Sequence, residues 1–172
     1  MNIYGEKVML RAIEAKDCDM LLKLINDPDT EKMLGGGSFP VSEQHQKEWI
    51  EKQASNQETL RCIVEVIDEK KAVGTVILSG IDYKNGNAEI HIKLTADEGR
   101  GKGYGSDAIK TIVQYAFEEL RLHCIYATVL EYNAVSAKMF EKCGFEKEGI
   151  LKERVYKNGT YIDMISYSII NR

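Results

Sequence analysis

Proline is nearly missing from the 172-residue sequence: Pro28 and Pro40 are its two, too few to build a Pro-rich linker, and nothing in the composition divides residues 1–172 into separate units. The four cysteines, Cys18, Cys62, Cys124 and Cys143, never fall in a C-x-x-C pair. That speaks against a zinc site or a disulfide framework, and for reduced thiols used as small apolar fillers in a cytoplasmic protein. His123 beside Cys124 cannot make a metal site alone, and no metal is expected. No apolar run approaches the roughly 20 residues of a membrane-spanning helix, and Met1 to Arg11 alternates polar and apolar residues where a signal peptide would carry a continuous apolar core. Excess positive charge is lacking too. Lys and Arg number 23 against 27 Asp and Glu, a formal net charge of -4, which argues against a protein that coats nucleic acid. What is present is 44% hydrophobic and 29% charged residues, the composition of a soluble globular domain, so disordered, collagenous and coiled-coil classes are excluded.

Periodicity orders the chain. Lys7 to Ile13 reads as a strand, and Met20, Leu21, Leu24 and Ile25 recur at helical spacing behind Asp17, an expected cap. Asn26-Asp27-Pro28-Asp29 ends that helix, Gly35 to Pro40 is a loop, and Ser42 caps a second helix carrying Trp49 and Ile50. From Leu60 the period becomes that of strands. Leu60–Ile67 and Ala72–Ser79 form a hairpin, and a turn at Asn85-Gly86-Asn87 leads into Ala88 to Leu94. There Ile90, Ile92 and Leu94 share one face and Glu89, His91 and Lys93 the other. A long helix bears the stripe Ile109, Ile112, Val113, Ala116, Phe117 and Leu120. Cys124–Leu130 is a strand, Ala134–Lys142 a short helix stopped by Gly144, and Ile150–Lys157 with Tyr161–Ile169 flanks the hairpin turn Asn158-Gly159. The order predicts one mixed α/β domain.

Between a strand and the long helix stands Arg100-Gly101-Lys102-Gly103-Tyr104-Gly105-Ser106. Glycines let several backbone N–H groups converge, and the helix adds its unpaired first-turn N–H groups and the positive end of its dipole. Such a loop suits a pyrophosphate, with Arg100 and Lys102 adding charge. The spacing G-x-G-x-G is neither a Rossmann fingerprint nor a Walker loop, so a nicotinamide-dependent oxidoreductase and a P-loop enzyme both fail on it. A plain strand–helix turn is the remaining simple alternative.

Arg-x-x-Gly-x-Gly at Arg100, Gly103 and Gly105 resembles the acyl-CoA pyrophosphate loop of the GNAT superfamily of N-acetyltransferases. Asn133 to Phe145 is similar to the second half of that signature, N-x-x-[AS]-x-x-x-[YL]-E-K-x-G-F. The element order matches as well, and the resemblance covers nearly the whole chain. The Leu10-Arg11-Ala12-Ile13 segment and the ending around Glu148-Gly149 and Asn158-Gly159-x-Tyr161-x-Asp163 are similar to the branch containing ribosomal-protein N-terminal acetyltransferases and spermidine acetyltransferases.

The resemblance implies a central, mixed, mostly antiparallel twisted sheet flanked by helices, with two splayed strands holding acetyl-CoA. Backbone groups of Ile92, Lys93 and Leu94 would pair with the pantetheine arm. Amides from Arg100, Gly101, Lys102, Gly103, Tyr104, Gly105 and Ser106 would hold the pyrophosphate, Asn133 would bond the pantetheine, and Lys138 would help the anion. The reaction the resemblance implies is acetyl transfer to a primary amine in a ternary complex. Freeing an alkylamine from its ammonium at neutral pH costs about 4.6 kcal/mol, so a proton acceptor is needed. Glu89 is the expected base, His91 its reserve and Glu131 a third candidate. Phe140 stands where many relatives have a tyrosine, so Ser136 takes the expected role at the thiolate, with Tyr132 and Cys143 as further candidates. The loss of that tyrosine motivates an alternative, an acyl-CoA-binding regulatory module with little turnover.

The acceptor should meet the N-terminal helices, Gly35 to Gly37 and the Asn158-Gly159 hairpin. Asp27, Asp29, Glu31, Glu43, Glu48, Glu51 and Glu58 outnumber Lys32, Lys47 and Lys52 there, an acidic excess that would suit a polyamine or a basic peptide N-terminus. An amino sugar is the other small-molecule expectation, and the C-terminal hairpin could join a homodimer.

Overall fold

A computed structural model describes residues 1–37, 39–56 and 58–172. Its strands are β1 (Ile3–Tyr4), β2 (Val8–Arg11), β3 (Leu60–Val66), β4 (Lys71–Asp82), β5 (Asn87–Leu94), β6 (Cys124–Leu130), β7 (Glu146–Lys157) and β8 (Thr160–Ile170). Its helices are α1 (Cys18–Asn26), α2 (Pro28–Lys32), α3 (Glu43–Gln53), α4 (Tyr104–Glu118) and α5 (Ala134–Lys142). The strands form one 8-stranded sheet in the order β1-β2-β3-β4-β5-β6-β8-β7. Every neighbouring pair is antiparallel except β5 with β6, the pair that α4 connects as a crossover helix.

Alternation along the strands sorts side chains onto two layers. Val76, Leu78, Ala88 and Ile90 turn to one face and meet the buried stripe Ala108, Ile109, Ile112 and Ala116 of α4. Ile63 turns to the other face, against Cys18 and Leu21 of α1 and Ile50 of α3. The sheet is thus covered on both sides, and its edge with β7 carries the exposed Ile150, Tyr156 and Tyr161.

Several expectations from the sequence need correction. Lys7–Ile13 contains a strand of only four residues, Val8–Arg11, and the two-residue β1 precedes it. Asp17 sits at the N-cap position of α1 without capping it. Its buried carboxylate accepts from Arg11 Nη1 and Nη2 at 2.9 and 2.8 Å and from Glu14 N at 2.8 Å, while Arg11 Nε donates to Glu65 Oε2 at 2.5 Å. This charged junction turns the chain out of β2, which is why that strand stops early. Asn26 ends α1 as expected, but Asp27 then accepts from Asp29 N and Thr30 N and starts α2, a short helix with Pro28 in its first turn. Ser42 does cap α3, accepting from His45 N at 3.1 Å. The expected Gly35–Pro40 loop has no helix or strand at its described residues; Ser38 lies outside them. β6 and α5 have the expected bounds, and β7 begins four residues earlier than expected because Glu146 and Lys147 still pair with Ser168 and Tyr167. Among the described residues no helix is long and apolar enough to cross a membrane.

The Arg11–Asp17 pair tests the N-terminal junction. Asp17→Ala takes two hydrogen bonds from a guanidinium that is 7% exposed and leaves it Glu65 as its one carboxylate, and urea unfolding should show a loss of about 1.5–3 kcal/mol, the range of hydrogen bonds to a charged group. A loss under about 1 kcal/mol, the value of a surface bridge, would refute it.

Candidate active site

β5 and β6 pair over only three positions, Asn87 to Glu89 with Cys124 to Tyr126, and then part. Beyond Glu89, β5 stays bonded to β4 alone. Lys93 O lies 2.0 Å from where a Cβ on Gly74 would stand, and Thr95 N donates to Val73 O at 2.8 Å. Odd-numbered residues here spend their backbone groups on β4, and strand alternation turns the N–H and C=O of Ile92 and Leu94 into the gap.

The glycine loop closes one end of that gap. Gly103 enters α4 at φ +83°, a left-handed conformation that disfavours other residues, and it offers no side-chain cap. Among the described residues the first-turn N–H groups of Tyr104, Gly105 and Ser106 therefore have no side-chain partner. A Cβ on Gly105 would stand 2.7 Å from Met139 Sδ and 3.1 Å from Leu94 Cδ1, so glycine is what lets α4 approach β5 and α5. Asp107 braces the helix from below, accepting from Glu6 N, Lys7 N and Val8 N at 2.8–3.2 Å. Of the two loop cations, Lys102 lies over the Tyr104 ring at 6.0 Å, whereas Arg100 Nη2 turns to Thr30 Oγ1 on α2 at 3.2 Å.

On the far wall, Asn133 accepts from Ser136 N at 3.1 Å, capping α5, and donates to Met33 O at 3.1 Å. Ser136 lines the gap, and its hydroxyl has no hydrogen-bond partner among the described residues. Lys138 is exposed and not part of the cavity lining. Phe140 is buried edge-to-face against Phe145 at 5.0 Å and offers no proton. Cys143 is packed away from the gap, its thiol donating to Ser106 O at 3.6 Å and pushed up in pKa by burial. Tyr132 donates to Lys32 O, and Glu131 is exposed beyond the end of β6.

Glu89 and His91 share one face of β5 and are in contact. Glu89 Oε1 accepts from Thr128 Oγ1 at 2.8 Å, Glu89 Oε2 stands 3.6 Å from His91 Nε2, and that nitrogen is 2.9 Å from Ser79 Oγ. Thr128 and Ser79 carry no motif. Register alone brings them in, Ser79 opposite Glu89 across β4 and Thr128 two residues beyond the Tyr126 partner of Glu89. Burial holds the His91 pKa below the ordinary imidazole value; Glu89 pulls it up, and Lys93 and Arg61 push it down.

The gap opens into a cavity of about 660 Å³ lined by His91, Ser136, Arg154 and the glycines 35–37, and a second of about 230 Å³ adjoins it under Trp49 of α3. From the terminal hairpin, Arg154, Val155 and Met164 reach the larger cavity; its Asn158-Gly159 tip is not among the lining residues. The N-terminal acidic surplus barely reaches it either. Asp27 caps α2, Asp29 pairs with Lys32, Glu43 pairs with Lys47, and Glu31, the one lining carboxylate, is held by Lys157.

A sheet that parts over an uncapped helix start, beside a carboxylate–imidazole pair, has the layout of an acyl-transferring enzyme. The family described as the Acetyltransferase (GNAT) domain matches residues 7–146, and the chain belongs to it. It is an N-acetyltransferase. The chain is 30% identical to "Uncharacterized N-acetyltransferase p20" of Bacillus licheniformis, with 99% of this chain and 97% of that protein covered. It is 38% identical over 96 residues to the spermidine N(1)-acetyltransferase of Vibrio cholerae, 56% of this chain and 55% of that one. In three dimensions it is similar to the spermidine N-acetyltransferase from Vibrio cholerae in complex with CoA and spermine, with a TM-score of 0.87, 29% identity and 96% of each chain covered.

The opposing influences on His91 can be separated by NMR. Its imidazole should titrate below 6.5, and Glu89→Gln should lower the midpoint further by removing the one charge that favours the imidazolium. A midpoint at or above 6.5 in the parent protein, or a rise in the variant, contradicts this assignment.

Proposed function

We propose that residues 1–172 act as a single acetyltransferase domain that moves the acetyl group of acetyl-CoA directly to a primary amine in a ternary complex. The observation that carries this reading is the gap between β5 and β6, bounded by the bare start of α4 and opening beside Glu89 and His91. The fit to acetyl-CoA rests on the N–H and C=O groups of Ile92 and Leu94 turned into the gap and on the first-turn N–H groups from Tyr104 to Ser106, with Lys102 adding charge. Lys93 belongs to the same strand segment, but its backbone is spent on β4. Gly101 and Gly103 take positive φ and let the loop turn, and Arg100 would have to leave Thr30 to serve an anion. Asn133 and Lys138 are assigned to the cofactor by resemblance alone. When bound, acetyl-CoA supplies an activated thioester carbonyl.

The residues of the chain supply the rest. Glu89, directly or through His91 or water, accepts the proton of the acceptor ammonium, and the lowered pKa of His91 keeps its imidazole neutral at pH 7 and able to relay it. The unengaged hydroxyl of Ser136 is the donor on the thiolate side. Polyamines, amino sugars and protein N-termini are the acceptor classes this chemistry admits. Four free, separated cysteines favour a cytoplasmic setting, and the exposed Ile150, Tyr156 and Tyr161 favour a homodimer joined at the β7 edge.

Thiol release from acetyl-CoA across an amine panel tests the reading. CoA release should depend on one class of amine, and Glu89→Gln should lower kcat by about 10²–10⁴-fold with little change in acetyl-CoA affinity. Acetyl-CoA binding without amine-dependent release would instead favour a binding module.

A further inference from the structure

Arg61, Ile77 and His91 are register partners across β3, β4 and β5, so they form one row on the same face of the sheet. Lys93 follows His91 by two residues on that face. Arg61 and Lys93 thus flank the imidazole, one about two interstrand spacings (~10 Å between Cα atoms) across the sheet and the other about 7 Å along it. Both line the two adjoining cavities, and Arg154 joins them in the larger one.

These cations have no counter-ion. Among the described residues neither Arg61 nor Lys93 makes an ion pair. Arg61 Nη1 donates to the neutral Gln53 Oε1 at 2.9 Å, its guanidinium lies 5.0 Å over the Trp49 ring, and its buried Nε has no partner among the described residues. Burial lowers the pKa of both groups, and Arg61 pushes Lys93 down further. The smaller cavity is lined by no carboxylate, and the single one lining the larger, Glu31, already holds Lys157. Two half-buried, mutually repelling cations without a partner lower the stability of the free protein, and an anion between them would relieve that cost. A polyamine would add a third and fourth positive charge to the same place.

We infer that the acceptor is a small amine carrying an anionic group, a carboxylate or a phosphate, which Arg61 and Lys93 bind while its amine meets His91, the contact partner of Glu89. This rests on the acetyltransferase reading and narrows its acceptor. The planar guanidinium of Arg61 suits either anion through paired N–H donors, and the apolar wall of Leu21, Leu24, Ile25 and Trp49 is left for the substituent between the two ends.

Matched pairs of amines isolate the anion: phenylalanine against phenylalaninamide, glucosamine 6-phosphate against glucosamine, with spermidine alongside. The anionic member of at least one pair should have a kcat/KM at least tenfold above its neutral partner, and which pair responds tells carboxylate from phosphate. Arg61→Gln and Lys93→Met should each reduce that preference about ten- to hundredfold through KM, the range of a lost charge-assisted hydrogen bond, with acetyl-CoA affinity unchanged. Equal or better turnover of the neutral members or of spermidine, or a preference that survives both variants, would overturn the inference. Calorimetry of the N-acetylated products on the CoA-bound protein keeps the two readings apart. Tighter binding of anionic products that is lost in Arg61→Gln, with no turnover of any amine, would sink the transferase reading and leave the anion site standing. Binding blind to the anion, with turnover intact, would do the reverse.

Discussion

β5 and β6 can pair as parallel strands only while their directions agree, and they agree for three residues. Past Glu89 each keeps one neighbour, β4 for one and β8 for the other, so the sheet survives the parting without losing its hydrogen bonds on the outer sides. The inner edges are left with unpaired backbone groups. In most sheets that would be an edge to be covered or blunted. Here the opening lies under α4 and α5, whose buried residues hold the two halves together from above through Ile109, Ile112 and Phe140. The machinery follows from that one departure from regular pairing: a cleft with polar backbone walls, a helix start at one end and side chains of the β5 outer face at the other.

Much of this was legible in the residues. The alternation of Ala88 to Leu94 places Glu89, His91 and Lys93 on one face, and the structure has them there, because a strand's period of two leaves no alternative once Ile90 is in the core. Gly144 stops α5 because a left-handed stop is a local device, readable without knowing what surrounds it, whereas the capping of that helix by Asn133 emerges only from the structure. Asp17 shows the opposite case. Its position before a helical stripe suggested a cap, but its carboxylate is committed to Arg11, a partner set by how β2 meets the turn before α1. Ser79, Thr128 and Arg61 carry no local signature. They enter the site through cross-strand register, which depends on a bulge near Ser79 and on a parallel pairing that no stretch of sequence announces by itself.

Charge was the least legible property. A count of acidic residues over Asp27 to Glu58 pointed to a negative acceptor region, yet Asp27, Asp29 and Glu43 cap or pair with groups on their own helices and Glu31 is held by Lys157. The cations that line the cleft, Arg61, Lys93 and Arg154, come from strands β3, β5 and β7 and not from the helices of that acidic stretch. Net charge and local field are separate quantities, and in this fold they have opposite signs.

Arg100 adds a thermodynamic consequence. Its guanidinium donates to Thr30, whose hydroxyl is held by Asp27, so one side chain of the glycine loop steadies the short helix that contributes Thr30 and Glu31 to the larger cavity. An anion recruited to the loop competes with Thr30 for that guanidinium. By linkage such a competition would be reciprocal: whatever factor a braced α2 gave a ligand of the larger cavity, an anion at the loop would lose.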